Sequence, residues 1–497
     1  MSTHIHPVSS VLGTSTLPAA MSTVFLFFAL VAGIFAQEKP GAILRLKQQA
    51  LEYGSRIAPR ILQNILDQAT FENLEDKDGL VSYKFNKVSL EQTEIGNVKV
   101  EFDPSINGIS VTLQNSDSSL SMDYESSIDM VLTTMQHSGS AQISLKDVDV
   151  DVKIAIEMDS DRIPTLRTLD CKASIRKCDF SFSSIVVDWM YSTMSKIIPN
   201  KLRQWTEEKF CRVISEYIDT KTQETIKSVK LHSVMDDLFK VDYSPLSKVS
   251  VSDRSIEAGH RGEVSWKSDS SRSNLKADDL PREDQDDENK MFNLWLEEYV
   301  AKTFAESAHS HDYLKARIAE DTISEQDQRE KLRLSYASSL IPELSSNSPD
   351  SYLQVEVSSN KVPDVEISEE GVRIQLHGDV QVSSGSGSNS QQLFKLKTSV
   401  KLLARAHVEG NSLVPDILSY DVETRDLTQM QINPKEADAL KFTHMIVREI
   451  AVKQIDKLAR RGLPLMSLPD LRLVDPAIRF TNGSVNLATD AQYKDFY

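Results

Sequence analysis

Asp147, Asp149 and Asp151 occupy the alternate positions on which a calcium-binding loop begins, and carboxylates so spaced supply the oxygen ligands a hard divalent cation takes. Two later positions do not fit. Residue 152 is Val where the sharp turn needs Gly, and residue 158 is Met where a bidentate Glu is needed. Val148, Val150 and Val152 interleave with the three carboxylates, which assigns the latter to the wet face of a strand. His309, His311 and Asp312 offer imidazole and carboxylate donors within four residues, but no second cluster completes a four-ligand zinc set, and a polar loop accounts for them. The chain contains no Gly-x-Ser-x-Gly elbow, no His-Glu-x-x-His and no phosphate loop. No catalytic residue, metal or cofactor is therefore assigned, and the expectation is a protein that is not an enzyme.

The remaining reactive side chains are three cysteines, Cys171, Cys178 and Cys211, of which one must stay unpaired. Cys171 with Cys211 is preferred, because Cys178 sits inside a strand pattern where a buried thiol is the usual outcome; Cys178 with Cys211 is the rival. A bridge from Cys171 to Cys211 closes a loop worth roughly 4 kcal/mol in the chain-entropy description. An oxidising compartment is expected, since Val24 to Phe35 is an apolar run too short to span a bilayer and of the right length for a secretory signal. Cleavage is placed near Ala36 and Gln37, giving a signal peptide over residues 1–36 and a secreted, extracellular protein that is not integral to a membrane. Residues 1–23 hold no Lys or Arg, so Met21 is an alternative start, with residues 1–20 as an upstream extension. Asn482-Gly-Ser484 is the single glycosylation acceptor.

The elements that carry these residues follow from periodicity. Ile175 to Phe182 is β-favouring, and it leads into a helix whose apolar positions include Val186, Met190, Met194, Ile197, Leu202 and Ile214, with a kink or break expected at Pro199. An amphipathic helix is read from Pro40 through Ile43, Leu51 and Ile57 to Leu66, with Pro59 as a bend. Between these helices the period is two, as in Val98 to Phe102, Ile109 to Leu113 and Val148 to Ile156, the pattern of half-buried antiparallel strands. Val241 to Trp266 reads as further strands and Ser268 to Lys290 as a polar linker. The order then repeats. Phe292, Leu296 and Phe304 begin a helix, strands run between Val355 and Leu402 with a Gly/Ser-rich turn at 383–390, and a helix capped by Asn433, Pro434 and Glu436 stops at Gly462. Leu471 to Leu487 forms a last strand set. At 497 residues the chain exceeds one core, and its net charge of −17 argues against nucleic acid and against an electrostatic grip on anionic membranes.

The run Pro40 to Tyr53 (PGAILRLKQQALEY) resembles the opening helix of the bactericidal/permeability-increasing and lipopolysaccharide-binding protein family, which also includes phospholipid and cholesteryl ester transfer proteins. Cys171 and Cys211, with the strand and helix between them, look like that family's disulfide. Arg461 to Leu465, Leu471 to Pro476 and Asn486 to Tyr493 resemble its C-terminal strands. The resemblance covers nearly the whole mature chain. It implies an α+β fold: an elongated boomerang of two pseudo-symmetric barrel modules, each a twisted antiparallel sheet with long amphipathic helices, joined by a central antiparallel sheet. Each module is then implied to hold lipid tails. The expected divisions are 37–240 for the first module, 241–290 for central-sheet strands and linker, 291–467 for the second module and 468–497 for strands returning to the centre.

Under that resemblance the chain is expected to bind and transfer phospholipids or other amphipathic lipids; the alternative is innate-immune binding of lipopolysaccharide or contact with lipoprotein surfaces. Members that seize lipopolysaccharide are implied to use a basic N-terminal half, whereas residues 37–240 hold 25 Lys plus Arg against 31 Asp plus Glu, a net of −6. The cations available to a basic patch are Lys172, Arg176, Lys177, Lys201, Arg203 and Lys209. The expected lipid lining is Ile43, Leu51 and Ile57 facing Val186, Met190, Met194 and Ile197 in the first module, and Phe292 and Leu296 facing Phe442, Ile446 and Ile450 in the second.

Overall fold

The computed structural model describes residues 38–493 apart from 68–70, 72, 131, 183–187, 228, 270, 281–288, 346–349, 386–389 and 467–470. The expected signal segment lies outside these residues. The architecture is α+β, an elongated pair of curled antiparallel half-barrel sheets on either side of a central sheet. The centre contains six strands in the spatial order Ser250–Val251, Ser255–His260, Ala42–Lys47, Phe292–Glu297, Ser484–Tyr493, Leu471–Thr481. Its two middle strands are the first strand of each half of the chain. They run antiparallel with Ala42 opposite Leu296, Leu44 opposite Leu294 and Leu46 opposite Phe292, a register that is its own mirror about Leu44 and Leu294.

Each of these strands runs straight into a helix, Gln48–Asp67 and Glu298–Ser310 respectively. The sequence reading of one helix from Pro40 and another from Phe292 is corrected accordingly: Ile43, Phe292 and Leu296 lie on strands. The reason is physical. Each strand has six residues and continues directly into a helix, and over so short a stretch period two does not separate from the helical period.

The first curled sheet orders Leu74–Asp78, Val81–Glu94, Gly108–Asp129, Thr134–Met158 and Pro164–Phe182, with Asn97–Asp103 paired to the third of these. Three of its strands are too long to stay straight, and each contains one residue in the left-handed region: Lys87, Asn115 and Asp147, at φ of 52°, 56° and 53°. At each of them the buried set changes phase, from Phe85 to Val88, from Leu113 to Ser116 and from Leu145 to Val148. An extra residue re-aims the strand and increases its twist, so a row of such bulges curls the sheet while one face stays apolar. Asp149 accepts the Asn115 N–H at 3.0 Å and Asp117 accepts that of Asp147 at 3.1 Å, so both irregular amides are satisfied.

The helix Asp188–Glu216 closes this sheet and continues through Pro199, where a kink or a break was expected, without a break. Ile198 and Leu202, fully buried on either side of the proline, anchor both segments to the sheet. A widened, π-type turn at Tyr217–Thr222 follows it. The second curled sheet orders Lys315–Ile318, Leu353–Ser368, Gly371–Ser384, Gln391–Glu409, Ser412–Gln429 and Leu463–Pro464. Its closing helix begins at Glu436, after a Lys435 cap whose side chain makes no capping bond, so the Asn433 cap is corrected. It too widens, at Val447–Ala451. Gly462 takes φ of 66° just beyond it. Ser268 to Lys290 is not wholly solvated: Ala277, Leu280 and Lys290 are buried, and Leu280 packs with Ile43 and Trp295.

Candidate lipid-binding interior

The acidic and histidine candidates resolve into ordinary structure. Asp147, Asp149 and Asp151 lie on the outer side of Thr134–Met158, where Arg176 pairs with Asp149 at 2.9 Å and Lys177 approaches Asp147 at 3.9 Å. His309 shares a hydrogen bond with Ser359 at 3.1 Å. His311 stacks flat on Trp266 with ring centres 4.7 Å apart. Among the described residues no three His, Cys, Asp or Glu side chains converge as metal ligands would.

The inner faces of the two curled sheets are different. Every buried position on the long strands of the first sheet is uncharged; alternation gives Tyr83 and Phe85, Leu120 and Tyr124, Ile143 and Leu145, with Ser116, Ser118 and Ser126 as the polar members. Ile198, Leu202, Phe210 and Ile214 of the closing helix pack into this face, and Leu62 and Leu66 of the opening helix join it. One end is aromatic: Phe180 lies 6.0 Å from Phe85 and 4.7 Å from Phe182, and Phe182 lies 4.7 Å from Tyr124. The buried Tyr124 hydroxyl finds its partner in His137 Nδ1 at 2.7 Å. In the second sheet the buried strand positions are again uncharged, and Phe442, Ile446 and Ile450 sit fully buried against Val380, Val382, Phe394 and Leu396.

The expected lining residues thus divide. Phe442, Ile446 and Ile450 share one interior with the second sheet. Leu51 is buried and Ile57 half-buried, but their part of the helix is tied to the outer strand Asn97–Asp103, where Ser55 Oγ donates to the Leu51 carbonyl at 2.9 Å and accepts the Val100 N–H at 3.0 Å. Ile43 packs on Trp295 in the central sheet, and Leu296 packs with Ala42 and Phe239. Phe292 lines a cavity of about 50 Å³ with Leu44, Leu294, Leu465, Met466 and Leu487, between the central sheet and the end of the second module. That is well below the ~300 Å³ of a small-molecule pocket. Val186 lies outside the described residues; Met190, Met194 and Ile197 lie on the closing helix, but their side chains are outside them. The aromatic sheet residues and Phe210 were not singled out from sequence, although the period-two pattern of Tyr83 and Phe85 was the available signal.

Cys171 and Cys211 are bonded, with Cα atoms 5.5 Å apart, and this fastens Pro164–Phe182 to the closing helix. Glu207 adds a second clasp by accepting the Ile175 N–H at 2.8 Å. Cys178 is a free thiol on the same strand, half-buried against the interior, and burial pushes its pKa up to about 11. The cations proposed for a basic patch are largely neutralised: Lys172 pairs with Asp170, Arg176 with Asp149, and Lys201 with Asp76, at 3.2, 2.9 and 3.2 Å. Lys209 is buried. No helix among the described residues is long and apolar enough to cross a membrane. Asn482 is exposed in the turn between the last two strands.

Residues 50–226 match the model of the LBP / BPI / CETP family N-terminal domain and residues 233–493 that of its C-terminal domain. A lipopolysaccharide-binding protein of Homo sapiens is 21% identical over 464 residues, covering 91% of this chain and 94% of its own length. A bactericidal permeability-increasing protein of Sebastes schlegelii is 20% identical, covering 91% and 95%, and a phospholipid transfer protein of Mus musculus 23% identical, covering 78% and 77%. The crystal structure of a lipopolysaccharide binding protein superposes with a TM-score of 0.58 at 17% identity, covering 92% of this chain and all of that one.

Proposed function

Since the chain belongs to the LBP / BPI / CETP family, we propose that it is a secreted, non-catalytic protein that binds phospholipid-like lipids by their acyl chains and transfers them. The observation that carries this reading is the absence of charge at every buried position on the long strands of both curled sheets, each covered by a helix. Burial stabilises about 0.8 kcal/mol per methylene, so such a face retains a long acyl chain with few polar contacts. Each interior is loaded by displacement of its closing helix. Pro199 and the widened turns at Tyr217–Thr222 and Val447–Ala451 interrupt the regular helical ladder and are where it yields most readily.

Phospholipid is favoured over lipopolysaccharide because Lys172, Arg176 and Lys201, three of the six candidate cations of a basic patch, are engaged by carboxylates. Export is supported by the Cys171–Cys211 bond, and glycosylation at Asn482 by its exposure. The test is native mass spectrometry and lipid extraction of the secreted protein, together with uptake of a fluorescent phospholipid. Co-purified phospholipid and saturable uptake are expected. Neither lipid nor uptake would remove the proposal, and tight, salt-sensitive lipopolysaccharide binding would replace it.

A further inference from the structure

The two closing helices touch corresponding strands of their sheets, Pro164–Phe182 in the first module and Ser412–Gln429 in the second, but they are fastened to them differently. In the first module the Cys171–Cys211 bond is joined by side chains that take up N–H groups along the strand. Glu207 accepts that of Ile175 at 2.8 Å, Asp219 that of Thr168 at 2.8 Å and Gln223 that of Leu166 at 3.4 Å, while Gln223 Nε2 donates to the Pro164 carbonyl at 3.3 Å. Asp219 lies inside the widened turn Tyr217–Thr222, so that turn is itself tied to the strand. Hydrogen bonds to carboxylates are the stronger kind, and here they flank a covalent bond.

The second module lacks such a clasp. Among the described residues the one side-chain hydrogen bond between its closing helix and its sheet runs from Thr424 Oγ1 to the Leu440 carbonyl, at 3.5 Å. Glu449 pairs with Lys331, and Met445 meets the Tyr336 hydroxyl at 3.5 Å, but both partners stand on short helices and not on the sheet. The widened turn Val447–Ala451 falls in the middle of this helix and divides it into Glu436–Ile446 and Val452–Ala459. The strand it covers is also open to solvent. Tyr420 pairs with Leu402 and Val422 with Val400, so the four side chains share the inner face; Leu402, Val400 and Val422 are buried, yet Tyr420 is 42% exposed. Leu418, skipped in the pairing between Leu403–Ser419 and Ala404–Ile417, is 56% exposed. An inward-facing aromatic ring that meets solvent marks a gap between strand and helix. Local opening begins at the segment with the fewest fastenings, which here is the second closing helix.

We propose that the modules divide the work: the second exchanges its lipid through the seam between Ser412–Gln429 and its closing helix, while the first retains its lipid behind a helix clasped to Pro164–Phe182. The proposal rests on the lipid-carrier reading and adds to it which module turns over. The full chain is loaded with a photoactivatable phosphatidylcholine, chased with excess unlabelled phosphatidylcholine vesicles and crosslinked after increasing times, and the labelled peptides are assigned to their module. Label should leave the second module at least about tenfold faster than the first. Cys211→Ala should bring the first module to the rate of the second, and Tyr420→Asp, at an exposed position that folding tolerates, should slow the second at least about tenfold. Amide hydrogen exchange gives a readout without lipid: residues 442–452 should exchange faster than residues 198–214. Equal rates from the two modules, faster loss from the first, an unchanged second module in Tyr420→Asp, or equal protection of the two helices would each overturn the proposal. If neither module takes up lipid the carrier reading fails, and the amide comparison still decides which helix opens first.

Discussion

At the scale of single residues, the disulfide and two buried groups give measurable consequences. Cys211→Ala should lose about 2 to 5 kcal/mol in denaturant unfolding, because it frees the closing helix from the strand, whereas Cys178→Ala should lose less than about 1.5 kcal/mol. The thiol at Cys178, pushed up to about 11 by burial, should resist alkylation at pH 8 in the folded protein and react once unfolded. His260 is buried with Nδ1 on the Tyr243 carbonyl at 2.9 Å, beside Arg261; burial lowers its pKa, and the carbonyl only partly opposes this. The unfolded chain then takes up a proton below about 6.5 that the folded chain refuses. Its contribution is present above that pH and is lost as the pH falls from there towards the folded value. Comparing unfolding midpoints at neutral and mildly acidic pH, wild type should lose more stability than His260→Gln; parallel losses would show that the buried imidazole has no such role.

At the scale of elements, the closing helices are the parts on which the interior depends. Phe442→Ala, at a fully buried position packed on the second sheet, should cost about 3 to 5 kcal/mol by calorimetry or denaturant unfolding. Leu202→Asp should abolish lipid uptake by the first module while the second still loads; uptake unchanged in both would take that helix face out of the site. The closing helices were legible in sequence because their apolar positions recur over several turns, and so were the strands that alternate, such as Val148 to Ile156. Ala42–Lys47 and Phe292–Glu297 were not, because each is only six residues long and runs directly into a helix, too short a stretch for period two to separate from the helical period. The bulges at Lys87, Asn115 and Asp147 were equally hidden. Asn and Asp favour the left-handed region but occur throughout the strands, so their presence alone does not mark a bulge, yet these three residues decide which side chains face inwards.

At the scale of the whole molecule, the doubling of the chain was visible as a repeated order of elements, whereas the central sheet that joins the halves came only from the family resemblance, since residues paired at the centre are some 250 positions apart in sequence and leave no local pattern. Leu294, buried opposite Leu44 at the point about which that register mirrors itself, is the position where one change reaches both halves. Leu294→Asp buries an unpaired charge and should cost more than about 4 kcal/mol, lowering the thermal transition of both modules together. A calorimetric trace in which only one module shifts would show that the halves are joined elsewhere. The same pairing also sets an order of events at the ribosome. Ala42–Lys47 emerges early, but both of its neighbours, Ser255–His260 and Phe292–Glu297, are made more than two hundred residues later. At ordinary elongation rates the nascent chain carries that apolar strand with both edges bare for roughly 10 to 50 s. It is a template for the wrong partner throughout that interval, so the yield of this protein should depend on a chaperone holding its first strand until the second half of the chain arrives.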